Sequence, residues 1–465
     1  MKYDVIIVGA GPSGLFSAYK LAGKLRIAIF EMGKEIEKRI CPSNLIQRYC
    51  QKCQPCNITS GIGGAGGLSD GKLNFINPEY SSSYTVGGDF DFMNRNCLFE
   101  KMEEVDKIFL EHGASSKLYG EDREKIAQLV RMANKVGIEF VPLKQRHLGS
   151  DNLPKIIKSI ENHLRKNGVE IFTEETVLDI NPREKKIKTK SKKEYQYEFL
   201  IIAVGREGAK FLEKWAKEYN VSINSEVKAI DVGVRVEVPA SIMDEVTSIV
   251  YDPKLRIITR KHDDQLRTFC TCPGGWVIRE NYDDFCLVNG HSKDKEKTNN
   301  TNFALLGHYE FTEPFKLPNE WGRDLARLTT KLGGGNPILQ RLKDLRSGRR
   351  STESKIESNK LVQPTLKTAI PGDISLAYPG RVIEDILDAL EQLDKFLPGV
   401  AEDLTLLYAP EIKFYSLKLK FNEGIRTSIP YIWAIGDGAG ISRGIVGAAI
   451  TGLVAGEDII KASKI

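Results

Sequence analysis

The reactive side chains of this sequence fall into a few places. Cys41-Pro42 is followed by Cys50, Cys53 and Cys56, a C-x2-C-x2-C run. Thiolates at such spacing suit an iron–sulfur cluster or a zinc ion; the plain alternative is a group of reduced thiols in a polar loop. Cys270 and Cys272 stand two apart in Phe269 to Trp276 and read either as a redox pair or as two small buried residues closing a strand. His291, at the end of Val288-Asn289-Gly290-His291, can move a proton near neutral pH, or simply be hydrogen-bonded within the fold. Eight cysteines in a chain of 465 residues point to thiols, metal or redox chemistry more than to structural disulfides.

Glycines supply a second chemistry, the close approach of backbone to phosphates and flat rings. Val5 to Val8 is a short β-branched strand, Gly9-Ala10-Gly11-Pro12-Ser13-Gly14 is a turn, and Leu15 to Ala22 has helical spacing. Gly9 permits the turn, Gly11 admits a pyrophosphate, and Gly14 lets helix and strand touch, so phosphates rest on free N–H groups at a helix start. Arg26 to Phe30 reads as the next strand, and Glu31 at its end is placed to hold ribose hydroxyls. From Gly61 to Lys72 the chain is too glycine-rich for a helix or strand interior. It can expose N–H groups to a flat ligand through Gly66, Gly67 and Gly71, with Ser69, Asp70 and Lys72 as polar neighbours; the alternative is a flexible linker.

The elements that must position these residues follow from periodicity. Amphipathic helices are expected over 99–113, 121–135, 153–166 and 382–396, and a small β-meander over 175–197. Phe199 to Gly205 is an apolar strand ending in glycine, as for a central parallel strand whose carboxyl end reaches a cofactor crevice. Between 221 and 399 alternating runs such as Val232 to Val238 indicate an antiparallel sheet. Tyr431 to Ile435 is a strand, Gly436 to Gly440 a turn and Ile445 to Ala455 a small-residue helix. Asp437 there can bond a ribityl or phosphate oxygen, and the helix start favours negative charge.

Hydrophobic residues at 41% and charged residues at 28% suit a globular chain, and this length implies two domains, with interleaving allowed. A net charge of +5 on 67 basic and 62 acidic residues argues against a nucleic-acid partner, and the basic run Arg341 to Arg350 is read as solvent-facing. The late apolar run is too short for a membrane span. Met1-Lys2-Tyr3-Asp4 leads directly into the first strand, and the expected location is the cytoplasm.

On VGAGPSG at the start, GGAGGLSDGK at 63–72, FCTCPGG at 269–275, LVNGH at 287–291 and IGDGAG at 435–440, most of the chain resembles flavoproteins with a glutathione-reductase-type FAD fold. Within them it resembles the group called uncharacterised FAD-dependent dehydrogenases. The resemblance implies FAD held by Gly9, Gly11, Pro12, Ser13, Gly14, Glu31 and Gly205, with Val177 beside the adenine and Gly436 and Asp437 near the ribityl chain. It places the glycine tract, Gly444 and Ile445 at the flavin ring. The expected fold is α/β: a Rossmann-like FAD-binding domain, a parallel sheet with a β-meander, built from 1–214 and 401–465. An inserted mixed α+β, β-rich substrate domain spans 215–400. The expected activity is an FAD-dependent oxidoreductase moving hydride or electrons between bound FAD and a small-molecule substrate, with Lys72, His291 and Arg443 as proton donors or anion clamps. No second GxGxxG follows a strand, which puts NAD(P)H as a direct donor in doubt. Two alternatives stand beside this reading. One is an electron-transfer or redox-sensing flavoprotein using the Cys41 to Cys56 group with a partner protein. The other is an FAD-dependent RNA-modifying enzyme, disfavoured because basic residues are not gathered into a patch.

Overall fold

The computed structural model describes residues 1–42, 50–77, 80, 87–88, 90–225, 228–282, 284–415, 418–421 and 423–463. The apolar run Val5 to Val8 lies in the strand Lys2–Val8, where Val5, Ile6 and Ile7 are fully buried. Burial on both faces follows from its parallel neighbours, Ile27–Phe30 on one side and Glu194–Ile202 on the other. Glu170–Phe172 extends the sheet beyond Ile27–Phe30, again in parallel. Lys186–Thr189 and Val177–Asn181 continue it as an antiparallel meander beyond Glu194–Ile202. The fold class is α/β, as expected.

Glu194–Ile202 is a single strand where periodicity suggested two. Its first half alternates, burying Tyr195 and Tyr197, and pairs with the meander. Its second half, Leu200 to Ile202, is wholly apolar and takes Ile432–Ala434 as a parallel neighbour. One strand thus ties the start of the chain to its end. Helix boundaries show the same logic: Arg95–Glu111 starts before the apolar period does, because the Asn94 side chain caps it by accepting the Cys97 N–H at 2.9 Å.

A second sheet has eight strands in the order Ile370–Pro371, Ile338–Arg341, Leu406–Lys413, Ala229–Pro239, Asn300–Glu310, Gln265–Cys272, Lys254–Ile258 and Glu139–Val141. Two of these, Glu139–Val141 and Leu406–Lys413, lie outside 215–400, so boundaries at 214 and 400 do not follow the sheet. Long-range pairing leaves no trace in local periodicity. Helix Gly380–Asp394 covers one face, where Ile386 and Leu390 join Val232, Val234, Val236, Phe303 and Leu305 in a second core. The opposite face of Ala229–Pro239 is charged, yet Asp231, Arg235 and Glu237 are also buried. Alternation that normally marks a solvated face marks here a covered polar one.

The basic run resolves into local pairing and solvent: Arg341 and Lys355 hold Asp344 at 2.9 and 2.8 Å, and Lys343 reaches Asp403. No helix among the described residues is long and apolar enough to cross a membrane.

The helices Pro12–Leu21 and Ile445–Ala462 pack backbone to backbone. A Cβ on Gly452 would stand 2.3 Å from the Ser13 carbonyl oxygen, inside any real contact. Gly452→Val must therefore push the two helices apart and is expected to cost about 1–3 kcal/mol, the usual range for overpacking. Gly380→Ala, where an added Cβ meets nothing within 4 Å, should be neutral or slightly stabilising. Urea denaturation of the two variants checks this, and equal midpoints would show that the helices do not need this contact.

Candidate active site

The glycine turn lies at the carboxyl end of Lys2–Val8. Gly9 has φ +103°, and a Cβ there would come 2.4 Å from the Ala203 carbonyl oxygen; one on Gly14 would come 2.0 Å from that of Gly9. Gly11 differs: its nearest neighbour would be the Gly64 Cα at 3.8 Å. Two glycines are thus fixed by packing, and the third leaves open space at the N-cap of Pro12–Leu21. No side chain caps that helix and no acid lies in its first turn, so its first N–H groups are free to receive an anion.

Glu31 is buried. Its oxygens accept the N–H groups of Ala10 at 2.8 Å and of Gly33 and Gly61 at 2.9 Å. A carboxylate offers about four acceptor positions, so Glu31 braces the turn and the glycine tract together and keeps capacity for a hydroxyl. Val177 is buried at the head of the meander, two residues beyond Glu175, whose N–H bonds the Glu31 carbonyl at 3.0 Å.

The glycine tract is built structure and not a linker. The Gly63 N–H bonds the Ala10 carbonyl at 2.8 Å, Ala65–Leu68 forms a short 3-10 turn, and the Ser69 hydroxyl bonds the Gly66 carbonyl at 2.7 Å. Arg39 holds it: the buried guanidinium donates to the carbonyls of Asn57, Ile58, Ile62 and Gly64 at 2.6–3.0 Å. Burial, partly offset by Glu31, lowers its pKa to about 10. One arginine in a charged stretch gave no sign of this role.

From the other end of the chain, Gly436 has φ +76°, and its Cβ would lie 2.6 Å from the Ser13 Oγ. One on Gly438 would lie 2.3 Å from the Gly205 carbonyl oxygen. The Asp437 carboxylate accepts the Ser442 hydroxyl at 2.9 Å and faces Arg206 at 3.8 Å; burial raises its pKa. Gly444, φ +85°, is the N-cap of Ile445–Ala462, again with no side-chain cap. A Cβ on Gly66 would lie 3.2 Å from both the Pro12 ring and the Ile445 side chain. The opening turn, the glycine tract and the final helix meet at this point.

Past Ser69 the tract enters a buried cluster. Lys72 Nζ lies 2.8 Å from Asp70 Oδ2, 3.4 Å from Cys270 Sγ and 3.3 Å from Cys272 Sγ. Arg235 reaches the same place from the covered face of the second sheet, with Nη2 3.4 Å from Cys272 Sγ and 2.6 Å from the Cys270 carbonyl oxygen, while Nε donates to Asn302 at 2.9 Å. The glycines of the two later motifs are accounted for here. A Cβ on Gly290 would stand 1.7 Å from Arg235 Nη2, and one on Gly275 would stand 2.8 Å from Cys272 Cβ. Burial would lower the Lys72 ammonium, but Asp70 and the two sulfurs outweigh it and hold its pKa well above the ordinary value. Lys72 is therefore a fixed positive charge and a poor proton donor near neutral pH.

His291 lies in the field of Asp70 and Lys72, and burial lowers its pKa. His147, which the sequence did not single out, stacks on Tyr251 at 4.4 Å between ring centroids and contacts the Ser292 hydroxyl at 3.0 Å. Arg443 belongs to a different set: it is exposed, its guanidinium lies 4.0 Å above the Tyr415 ring, and the Tyr415 hydroxyl donates to Asp231 at 3.0 Å. Cys41, Cys50, Cys53 and Cys56 are all described as free thiols, and no three of their sulfurs come within 4.8 Å of one another. The four-thiolate ligand set, one of the two readings of this run, is not assembled among these sulfurs. Among the described residues, the sulfurs that do converge with a third ligating atom are those of Cys270 and Cys272, with Asp70.

Two uncapped helix starts at the carboxyl ends of parallel strands, with a charged cluster nearby, are an arrangement that suits a dinucleotide cofactor. Residues 229–413 match the family "FAD-dependent protein, C-terminal domain-like" and residues 127–240 match "Pyridine nucleotide-disulphide oxidoreductase". The chain is an FAD-dependent oxidoreductase, similar over residues 229–413 to the first of these families and over 127–240 to the second. A Clostridium beijerinckii protein described as "Uncharacterized protein" is 24% identical over 493 aligned positions, covering 99% of this chain and 81% of that one. Among solved structures, a glycine oxidase from Geobacillus kaustophilus aligns over 99% of this chain and 95% of its own at 12% identity and a TM-score of 0.38. A flavoprotein/dehydrogenase from Cytophaga hutchinsonii aligns over 100% and 79% at 10% identity and a TM-score of 0.39.

Burial depresses the His147 pKa from 6.5 to about 4. Between those values the unfolded chain binds a proton that the folded one refuses, so stability falls as pH falls through that window, by on the order of 3 kcal/mol if the shift is complete. His147→Gln should flatten this part of the stability profile, measured as urea midpoints from pH 7 to 4. An unchanged slope would place the acid sensitivity elsewhere.

Proposed function

We propose that the protein holds FAD across this crevice and exchanges hydride or electrons between it and a small-molecule substrate lodged against the covered polar face of the second sheet. The pyrophosphate rests on the first turn of Pro12–Leu21, with Ser13 and Gly205 alongside. Glu31 takes the adenosine ribose, Val177 borders the adenine, and Gly436 and Asp437 meet the ribityl chain. Gly66, Gly67, Ser69, Asp70 and Gly71, together with Gly444 and Ile445, border the flavin ring. The close approach of Gly66 to the Pro12 ring and the Ile445 side chain carries this reading, because it brings three remote segments together at the uncapped starts of both helices.

Bound FAD supplies a two-electron carrier; the chain supplies position and charge. Arg39 and Glu31 fix the path of the tract, and the uncapped start of Ile445–Ala462 favours negative charge in front of it. Lys72 and Asp70 neutralise each other at the substrate side, where an added charge is stabilised or repelled according to sign. His291 and His147, kept neutral by burial, can hydrogen-bond a substrate there without adding charge. Arg443, exposed on Tyr415, is an anion clamp at the rim.

Gly11→Val tests the cofactor assignment, because its Cβ finds room in the protein but occupies the space given to the pyrophosphate. The variant is expected to keep the wild-type urea midpoint and to lose FAD affinity roughly tenfold or more, about 1.4 kcal/mol, read from flavin absorbance after reconstitution. Wild-type protein that cannot be reconstituted with FAD would sink the proposal. Anaerobic bleaching by NADH or NADPH then identifies the donor, and failure of both excludes a simple pyridine-nucleotide dehydrogenase.

A further inference from the structure

Cys270 sits at an irregular point of the second sheet. Phe269 pairs with Ala304 and Cys272 with Asn302, so the strand carries one residue more than its partner there, and Cys270 takes up the excess with φ +50°. A side chain other than glycine seldom adopts that conformation, and such strain collects at functional sites. Its effect here is to gather Cys270 Sγ, Cys272 Sγ and a carboxylate oxygen of Asp70 within 4.8 Å of one another. Cys270 is partly exposed and Cys272 is buried. Two cations, Lys72 and Arg235, lie against these sulfurs. That arrangement disfavours a divalent metal, whose place is already held by positive charge, and favours a thiolate.

We infer that Cys270 and Cys272 are a two-electron thiol–disulfide couple that opens a disulfide-bonded substrate, with Cys270 attacking and Cys272 resolving. This rests on the flavoenzyme reading above and names its substrate class. The hydrogen bond from Cys272, then Lys72 and Arg235, lower the Cys270 pKa, whereas burial raises that of Cys272. The partly exposed thiol is thus the ionised one, as attack requires, and the buried one keeps its proton until needed.

In the first step the Cys270 thiolate attacks one sulfur of the substrate disulfide. The S–S bond breaks, a mixed disulfide forms on Cys270, and one thiolate leaves. In the second, Cys272 gives up its proton along its 3.6 Å contact with Asp70 and attacks Cys270 Sγ. The second substrate thiolate leaves and takes that proton, and Cys270 and Cys272 are joined. The substrate gains two electrons and the pair loses two. A separate hydride donor reduces bound FAD, and the reduced flavin restores the pair by giving up two electrons and one proton: the Cys270–Cys272 bond breaks, Cys270 returns as thiolate and Cys272 as thiol. Asp70 is four residues from Gly66, a span of at most about 14 Å, so the pair and the ring site share one end of the crevice.

The test uses the FAD-loaded protein, reduced with a phosphine, desalted and mixed with 2-hydroxyethyl disulfide, followed by alkylation and peptide mass mapping. Wild-type protein should end with Cys270 joined to Cys272, two mass units lighter. Cys272→Ser should stop at a hydroxyethyl mixed disulfide on Cys270, and Cys270→Ser should leave Cys272 unmodified. Iodoacetamide should alkylate Cys270 with a pH midpoint below that of an ordinary thiol, and Lys72→Met should slow this at pH 7 about tenfold, with Lys72→Arg restoring most of it. Wild-type measurements alone decide the matter if a variant fails to fold. A Cys270 midpoint at or above the ordinary thiol value, no intramolecular link in wild-type protein, or stoichiometric zinc released on thiol oxidation would each overturn the inference. None of these readouts depends on flavin turnover, so their failure in protein that still binds FAD refutes the thiol couple alone.

Discussion

The structure depends on a contact in which side chains are absent. The last helix lies so close to the first that Gly452 sits against the Ser13 backbone, while Gly436 and Gly438 crowd Ser13 and Gly205. With the parallel addition of Ile432–Ala434 to Glu194–Ile202, this closes the two ends of a 465-residue chain around one opening. Apolar burial holds the layers together, but only glycine lets the backbones approach far enough for both helix starts to face the same ligand. Fixing glycine in these conformations forfeits more chain entropy than any other residue would. The expense falls at the cofactor crevice, where close backbone approach is what function requires.

A second constraint is electrostatic. Ala229–Pro239 presents Val232, Val234 and Val236 to one core and Asp231, Arg235 and Glu237 to a covered polar layer. Each buried charge there has partners: Arg267 and His308 on Asp231, Glu411 and Asn302 on Arg235, Tyr408 and Thr365 on Glu237. A buried pair adds little net stability once desolvation is counted, but losing one partner is costly. Such a layer therefore fixes geometry more than it adds stability, and a redox site between two sheets needs fixed geometry. Lys72 and Asp70, arriving from the cofactor side, are embedded in the same layer.

The glycine tract links the two constraints. It begins braced by Arg39 and Glu31 against the opening turn, passes Pro12 and Ile445, and ends with Asp70 and Lys72 at the cysteines of the second sheet. Its carbonyls are held by a guanidinium rather than by a neighbouring strand, and N–H groups such as those of Gly61, Gly63 and Gly67 are held by Glu31, the Ala10 carbonyl and the Gly63 carbonyl. Rigidity without a sheet or helix is what a loop passing a flat ring must have.

Much of this was legible in the chain itself. The strand–turn–helix at the start, the meander, the helix 153–166 and the terminal Gly-Asp-Gly turn are local patterns, set by side-chain periodicity and glycine stereochemistry, and they stand where periodicity put them. The sequence alone thereby determined the α/β class and these local elements. Tertiary structure decided what local pattern cannot encode: which strands join the second sheet across the whole chain, that Arg39 serves four distant carbonyls, and that the polar side of an alternating strand is covered. It also decided which cysteines meet. Cys41, Cys50, Cys53 and Cys56 are close in sequence, but no three of their sulfurs gather, whereas Cys270 and Cys272 join Lys72 and Asp70 from about two hundred residues away. Spacing fixes only what neighbours along the chain can do; convergence of remote charged groups is a property of packing.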